Sequence, residues 1–249
     1  GRSGLRAALK RGAAELAAVP MRRPVEEVPT ILLVGEIYVR TEDVARRWLP
    51  EFLAEHGLAT HVAPVHEWIH YVNYLFDQKL GDTRGGTVDR LKNKLRWTLM
   101  IRAEKDVNNL LVASGWHVRR AVDIKDVVKN GARYISPKLV GEAILTVGGP
   151  VAEVGKEFCG SIAIGPFGCM PNRLSESILN QNMDRDHLKD HRRDRAFREN
   201  SKRMEALPFL AVESDGSPFP QVIEARLETF VLQARRMHGI MAGRPRANA

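Results

Sequence analysis

Residues 159–179, CGSIAIGPFGCMPNRLSESIL, join an apolar segment to a helix-like pattern. The apolar run before Pro166 is typical of a strand buried on both faces of a parallel sheet. Glycine, cysteine and proline then interrupt it. Pro171 suits the first turn of a helix, because its missing N–H would have no helical partner there. The stretch therefore predicts a strand, a short loop and a helix that begins beside Cys169.

Three other segments show the same order of strand and helix. Helices alternating with strands are the signature of a parallel α/β sheet. We predict a flavodoxin-like α/β fold of about four parallel strands in the order 2-1-3-4, with flanking helices and a long helical insertion. The predicted strands are residues 30–39, 58–65, 160–167 and 208–213.

The helices are less regular than the strands. Residues 41–57 predict one helix, in which Pro50 implies either a kink or a late start. Residues 87–115 predict a long amphipathic helix, whose apolar side carries Leu91, Leu95, Leu99 and the cluster at 107–112. As domains we expect a basic helical lead-in at 1–27, the flavodoxin-like domain at 28–243 and a disordered tail at 244–249.

The net charge of +8 raises the question of a nucleic-acid partner. The densest basic region, residues 184–206, interleaves six acidic with eight basic side chains. Mixed charges favour a solvated helix face over a phosphate-binding stripe. We therefore expect no nucleic-acid partner.

No apolar stretch approaches the ~20 residues of a membrane span, and the first residues lack the apolar block of a secretory signal. We therefore expect a cytoplasmic protein without a membrane partner.

Ligands of parallel α/β sheets bind beyond the carboxyl ends of the strands. Four segments should gather there, GEIYVR, PVHEW, GPFGCMP and ESDGS, which carry Glu36, Glu67, Cys169 and Asp215. The second cysteine, Cys159, precedes the third strand. At ~3.3 Å per residue it lies roughly 25–30 Å from Cys169, which excludes an internal disulfide.

Cys169 has two interpretations at this point. A free cysteine most often packs as a small buried hydrophobe. Against this, Gly165 and Gly168 permit close approach of a ligand to the backbone, and a helix N-terminus favours the thiolate. Both a packing role and a role in ligand or metal binding stay open on these grounds.

HEWIH, residues 66–70, matches the H-E-x-x-H motif of zinc proteases. We see no third ligand further along the chain. We therefore expect an ordinary helix start with Glu67 near the positive end of the dipole, and no zinc at His66 and His70. The residues expected to form the buried face are Trp68, Ile69, Val72 and Leu75. A zinc hydrolase that uses His66, Glu67 and His70 is the most distant alternative.

Four segments together resemble the 2-hydroxyacyl-CoA dehydratase family, in particular the dehydratase-like domain of large CoA-substrate-specific enzyme activases and of double-cubane cluster proteins. They are VGEIYVR (34–40), GEAILTVG (141–148), GPFGCMPNRLSESIL (165–179) and PFLAVESDGSPFPQVIEARLETFVLQAR (208–235). The resemblance extends from about residue 28 to 236 and is to the carboxy-terminal part of such proteins. P-F-x-C-M-P is its most specific element.

The resemblance implies a 4Fe–4S-type cluster used in low-potential electron transfer, with Cys169 as one metal ligand. Gly165, Gly168, Met170, Glu36 and Asp215 would lie around the cofactor. An ATP-dependent activase, or an upstream domain of the same protein, would supply the electron, and a homodimer or heterodimer fits the family. True dehydratases use that electron to remove water from a 2-hydroxyacyl-CoA through a ketyl radical.

The ligand set departs from the family pattern. A 4Fe–4S cluster usually needs three or four thiolates, whereas this chain has two cysteines. We therefore expect the cluster in a full-length or assembled protein and not in this chain alone, which should have no activity by itself. The alternative is a non-catalytic α/β interaction domain that binds a partner without a cluster.

Overall fold

The computed structural model describes residues 2–81, 85–116, 122–190, 192, 194–204 and 206–243. The tail expected at 244–249 lies outside these residues. Among the helices of this part, none is both long and apolar enough to span a bilayer.

The chain divides into two compact units. One, which we call the helical unit, comprises Gly1–Val28 and His66–Ile124; the other, the sheet unit, comprises Pro29–Val65 and Lys125–Ala249. The basic lead-in forms helix α1, Arg2–Ala17, and packs on the long helix of the insertion. The lead-in and the insertion thus form one unit, although the first strand and its helices separate them in sequence.

The sheet unit contains the predicted parallel sheet. Its strands are β1 (Thr30–Gly35), β2 (Ala59–Val62), β3 (Gly160–Pro166) and β4 (Phe209–Ser214). They are all parallel, in the order β2-β1-β3-β4. The predicted α/β fold and strand order are confirmed. Buried side chains cover both faces of β3, as expected for a central strand of a parallel sheet.

Strand β1 is shorter than predicted because the backbone turns at Gly35. Gly35 has φ +110°, and a Cβ atom there would lie 1.9 Å from the carbonyl oxygen of Ile164. Glu36 follows and caps the next helix, its carboxylate accepting a hydrogen bond from the N–H of Val39 at 2.8 Å. The residues IYV (37–39), predicted as strand, are therefore helical.

The single helix predicted at 41–57 is two short helices, and a third short helix precedes them. They are α2 (Ile37–Thr41), α3 (Asp43–Arg46) and α4 (Leu49–Glu55). The break between the last two lies at Arg47 and Trp48, which both adopt left-handed backbone angles. Of the two effects expected from Pro50, the late helix start is the one observed, because Pro50 stands in the first turn of α4, where proline is tolerated.

The remaining helices of the sheet unit flank the sheet. They are α7 (Ile124–Gly131), α8 (Ala143–Glu153), α9 (Met170–Asn182), α10 (Arg185–Leu188), α11 (Arg195–Ser201) and α12 (Gln221–Met241). Helix α8 is buried along nearly its whole length and packs on β1, β3 and α9, while α12 packs on β3 and β4. Helix α9 follows β3 directly, which places its N-terminus at the carboxyl edge of the sheet.

The helical unit buries different faces from those predicted. Besides α1 it contains α5 (Val65–Gln78) and the 25-residue α6 (Thr87–Leu111). Leu91, Leu95 and Leu99 of α6 are exposed, while most of the 107–112 cluster is half-buried, and on α5 Ile69 and Val72 are exposed. Leu75 is buried as predicted, and the other buried side chains are Glu67, His70 and Tyr71 of α5 and Trp97 of α6. Both faces were therefore predicted only in part, because α6 turns toward α5 the side that hydrogen-bonds to His70.

Candidate functional site at the carboxyl edge of the sheet

Cys169 is the N-cap residue of α9. Its N–H donates to the carbonyl of Pro166 at 3.1 Å, and its carbonyl accepts from the N–H of Arg173 at 2.9 Å. The residue is half-buried, while its neighbours Phe167 and Met170 are 78% and 77% exposed. The thiol therefore sits at a helix N-terminus within a small apolar patch that faces solvent.

The loop that carries Cys169 is tied to strand β4. The N–H of Gly168 donates to the Glu213 carboxylate at 3.2 Å, and the guanidinium of Arg173 lies 3.2 Å from the same oxygen. Gly168 has φ +72°, a backbone angle that glycine adopts without strain. Arg173 also bonds Glu176, which with Glu213 raises the pKa of the guanidinium. The loop is thus held from two sides, and Cys169 has a defined position.

Asn172 lies in the first turn of α9 and packs against Gly165 at the end of β3. Only 3% of its surface is exposed. Neither its side-chain oxygen nor its nitrogen has a hydrogen-bond partner among the described residues. Most buried amides are paired, so this unpaired amide suggests that a water molecule or a bound group completes the region beside Cys169.

Two carboxylates and an arginine lie at the end of β1. Burial raises the pKa of Glu142, the charge of Glu36 raises it further, and Arg40 opposes the shift. Arg40 is buried and donates to the carbonyls of Ala63, at 3.0 Å, and Gly35. Sequence reasoning found Glu36 but missed Glu142, the N-cap residue of α8, although Glu142 lies in the segment GEAILTVG.

Asp215 directly follows β4, and Glu36 directly follows β1. Asp215 is exposed, and its carboxylate accepts a hydrogen bond from the N–H of Ser217 at 2.8 Å, a bond that lowers the pKa of the carboxyl group. This is the pattern of a turn. Glu67 was expected on a loop, but it lies in the first turn of α5, which confirms the helix start expected at HEWIH.

Cys159 lies at the opposite end of β3. Its thiol is buried and donates to the carbonyl of Thr30 at 3.2 Å. Burial raises the pKa of this thiol to about 12. Cys159 is therefore a neutral packing residue, which leaves Cys169 as the single cysteine of the chain that suits a metal or a nucleophilic role.

The expectation that no third ligand approaches the HEWIH motif was wrong. His66 and His70 lie on α5, and the Glu104 carboxylate reaches them from α6 within the helical unit. Helical periodicity could not reveal Glu104 as a partner, because Glu104 is 34 residues from His70 along the chain. The two side chains meet only through a contact between α5 and α6.

No family model, no curated protein and no solved structure matches the chain. The likeness to the dehydratases therefore depends on the four sequence segments alone.

Proposed function

We propose that this chain is the α/β domain of an iron–sulfur redox protein of the 2-hydroxyacyl-CoA dehydratase and activase type, and that Cys169 is its cluster ligand. The observation that supports this most directly is the half-exposed thiol of Cys169 at the N-cap of α9. That position lies at the sheet edge where parallel α/β proteins bind their ligands.

The start of α9 suits a thiolate and the sulfur atoms of a cluster. The first N–H groups of a helix have no partner within the helix, and the helix dipole places partial positive charge there. Met170 and Asn172 bring such N–H groups, whereas Pro171 has none. Hydrogen bonds from backbone N–H groups to cluster sulfur raise and tune the reduction potential.

The donor set of the chain is incomplete. A 4Fe–4S cluster usually takes three or four thiolates, and Cys159 is a buried neutral thiol at the far end of β3. The other ligands must come from a partner chain or from another domain of the same protein. The exposed Phe167 and Met170 beside Cys169 fit such a partner, because burying them would also exclude water from the cluster.

The chemistry would be low-potential electron transfer. The cluster would supply the redox-active metal when bound. Cys169 would hold one of its iron atoms, and the N–H groups at the start of α9 would donate hydrogen bonds to its sulfur atoms. An ATP-driven activase is the electron donor that the sequence resemblance implies. Substrate turnover then belongs to the assembled protein and not to this chain alone.

The second candidate is a non-catalytic α/β interaction module. The apolar patch of Phe167 and Met170 would serve a partner equally well without a cluster. In that case Cys169 has no metal partner, and its exposure has no redox role.

Anaerobic purification of the tagged chain with its bound partners separates the two candidates. We expect stoichiometric iron and sulfide in the assembly, lost on Cys169→Ser and retained on Cys159→Ala, the matched control. An intact assembly without iron and sulfide would support the interaction module. Iron retained in the Cys169→Ser assembly would overturn Cys169 as the ligand.

A further inference from the structure

We propose that His66, His70 and Glu104 form a binding site for a divalent transition metal, with Zn²⁺ as the best-suited ion. The site lies entirely in the helical unit and does not depend on the function proposed for Cys169. The two histidines are four residues apart, so they occupy one face of α5. The glutamate comes from α6. Two imidazoles and a carboxylate are a common ligand set of zinc.

The distances fit this metal. One Glu104 oxygen lies 3.4 Å from Nε2 of His66, and the other lies 2.8 Å from Nε2 of His70. Ligand atoms of the three residues all lie within 4.8 Å of one another. Tetrahedral zinc with bonds of ~2.0–2.2 Å separates its ligands by about 3.3–3.5 Å. Small side-chain movements therefore bring all three ligands to bonding distance.

The site is open on one side. The side chain of His66 is 43% exposed, whereas those of His70 and Glu104 are 2% and 14% exposed. The exposed His66 gives the metal a path from solvent. Three protein ligands leave the fourth position to water, as in zinc sites that are not closed structural sites.

Trp97 determines how strongly the site binds. The indole N–H of Trp97 donates to Nδ1 of His70 at 2.9 Å. A neutral imidazole with an unprotonated Nδ1 carries its proton on Nε2, where it donates to Glu104. A metal on Nε2 requires that the proton move to Nδ1, where it would face the indole N–H. Metal binding therefore costs the Trp97 hydrogen bond, and Trp97 weakens the site.

This opposes the usual arrangement around zinc-bound histidine. A ligating imidazole normally donates its other N–H to a carbonyl or a carboxylate, which strengthens the metal bond. Here the other nitrogen meets a second donor. The site should consequently bind zinc weakly and reversibly, and replacing Trp97 should raise its affinity for zinc.

Zinc titration of the purified chain, by competition with a chromogenic chelator, tests the proposal. We expect one Zn²⁺ per wild-type chain. Loss of an outer-shell partner of a metal ligand costs 10–100-fold in affinity, so loss of a direct ligand in His66→Ala or in Glu104→Gln should cost about 100-fold. Trp97→Phe should bind about fivefold more tightly, the factor that corresponds to one net hydrogen bond. His187→Ala, which removes an exposed histidine of the sheet unit, is the matched control and should bind like the wild type.

Other results of the titration would contradict either the site or the role of Trp97. His66 is half-exposed, so His66→Ala should keep the native circular dichroism, and its loss of binding then reports on the ligand alone. A wild-type chain that binds no zinc at micromolar concentrations, or that binds equally after His66→Ala, overturns the site. Equal loss in His187→Ala would show non-specific histidine binding. Unchanged or weaker affinity in Trp97→Phe would overturn the role of Trp97.

Discussion

A Cβ atom on Gly165 would lie 2.8 Å from Cγ of Asn172. The end of β3 and the first turn of α9 therefore meet without room for a methyl group. Cys169 lies between these two residues in sequence, in the loop that connects the strand to the helix. The contact between Gly165 and Asn172 thus helps to set the position of the cysteine.

Gly165→Ala should destabilise the protein by about 1–3 kcal/mol, the usual cost of forcing an atom into a packed site. Urea unfolding measures it. Gly239→Ala is the control: Gly239 lies in α12 with no atom within 4 Å of an added Cβ, so alanine there should stabilise by up to about 1 kcal/mol. Wild-type stability in Gly165→Ala would contradict the close contact.

Iodoacetamide should label Cys169 much faster than Cys159 in the native chain. The pKa of Cys159, about 12, leaves roughly one thiol in 10⁴ ionised at pH 8, and the thiolate is the reacting form. Cys159 is also buried, whereas Cys169 is half-exposed. Mass spectrometry of timed digests measures both rates. If Cys159 reacts first, or neither cysteine reacts before unfolding, Cys169 is a packing residue.

Glu142→Gln should stabilise the chain at neutral pH. Burial and the nearby Glu36 raise the pKa of Glu142 in the folded state above its value in the unfolded chain. Ionisation of Glu142 is therefore less favourable in the folded protein, and stability is lost as the pH rises through the folded pKa. The amide oxygen of glutamine can still accept the hydrogen bond from Ile37.

Melting temperatures from pH 3 to pH 8 test this change. The gain of Glu142→Gln over the wild type should vanish below the ordinary glutamate pKa of 4.5, where Glu142 is protonated in both states. Glu228→Gln, an exposed position on α12, is the control and should follow the wild type throughout. A constant gain at every pH would show that burial of the charge is not the cause.

Arg192→Met should cost about 2–4 kcal/mol, because it removes the arginine donor from the buried carbonyl of Val154 and from Asp194. The side chain of Arg192 is buried, donates to the carbonyl of Val154 and to Asp194, and lies 4.1 Å from the ring centre of Phe197. Methionine keeps the apolar stem but no donor.

Chemical denaturation measures the loss of stability in Arg192→Met, and an exposed arginine provides the control. Arg195→Met removes a surface ion pair with Glu199 and should change stability by less than about 0.5 kcal/mol. Equal effects of the two substitutions would mean that the buried hydrogen bonds of Arg192 contribute little.

The parallel sheet and its strand order followed from local patterns. Apolar runs such as SIAIGPF, each followed by a helical segment, already predict parallel strands joined by helices. The same reasoning placed Glu36, Cys169 and Asp215 after the carboxyl ends of three strands, and they lie there. It misjudged the end of β1, because the close approach of Gly35 to Ile164 is a contact between strands.

Side-chain partners between distant elements depended on tertiary packing. Leu91, Leu95 and Leu99 form a regular apolar stripe, yet α6 buries Trp97 and turns Glu104 toward His70. Periodicity shows which residues share a face but not which neighbour that face meets. Hydrogen bonds to His70 and the packing of Asn172 on Gly165 arise only when separate elements are brought together, and these contacts define the proposed zinc site and the surroundings of Cys169.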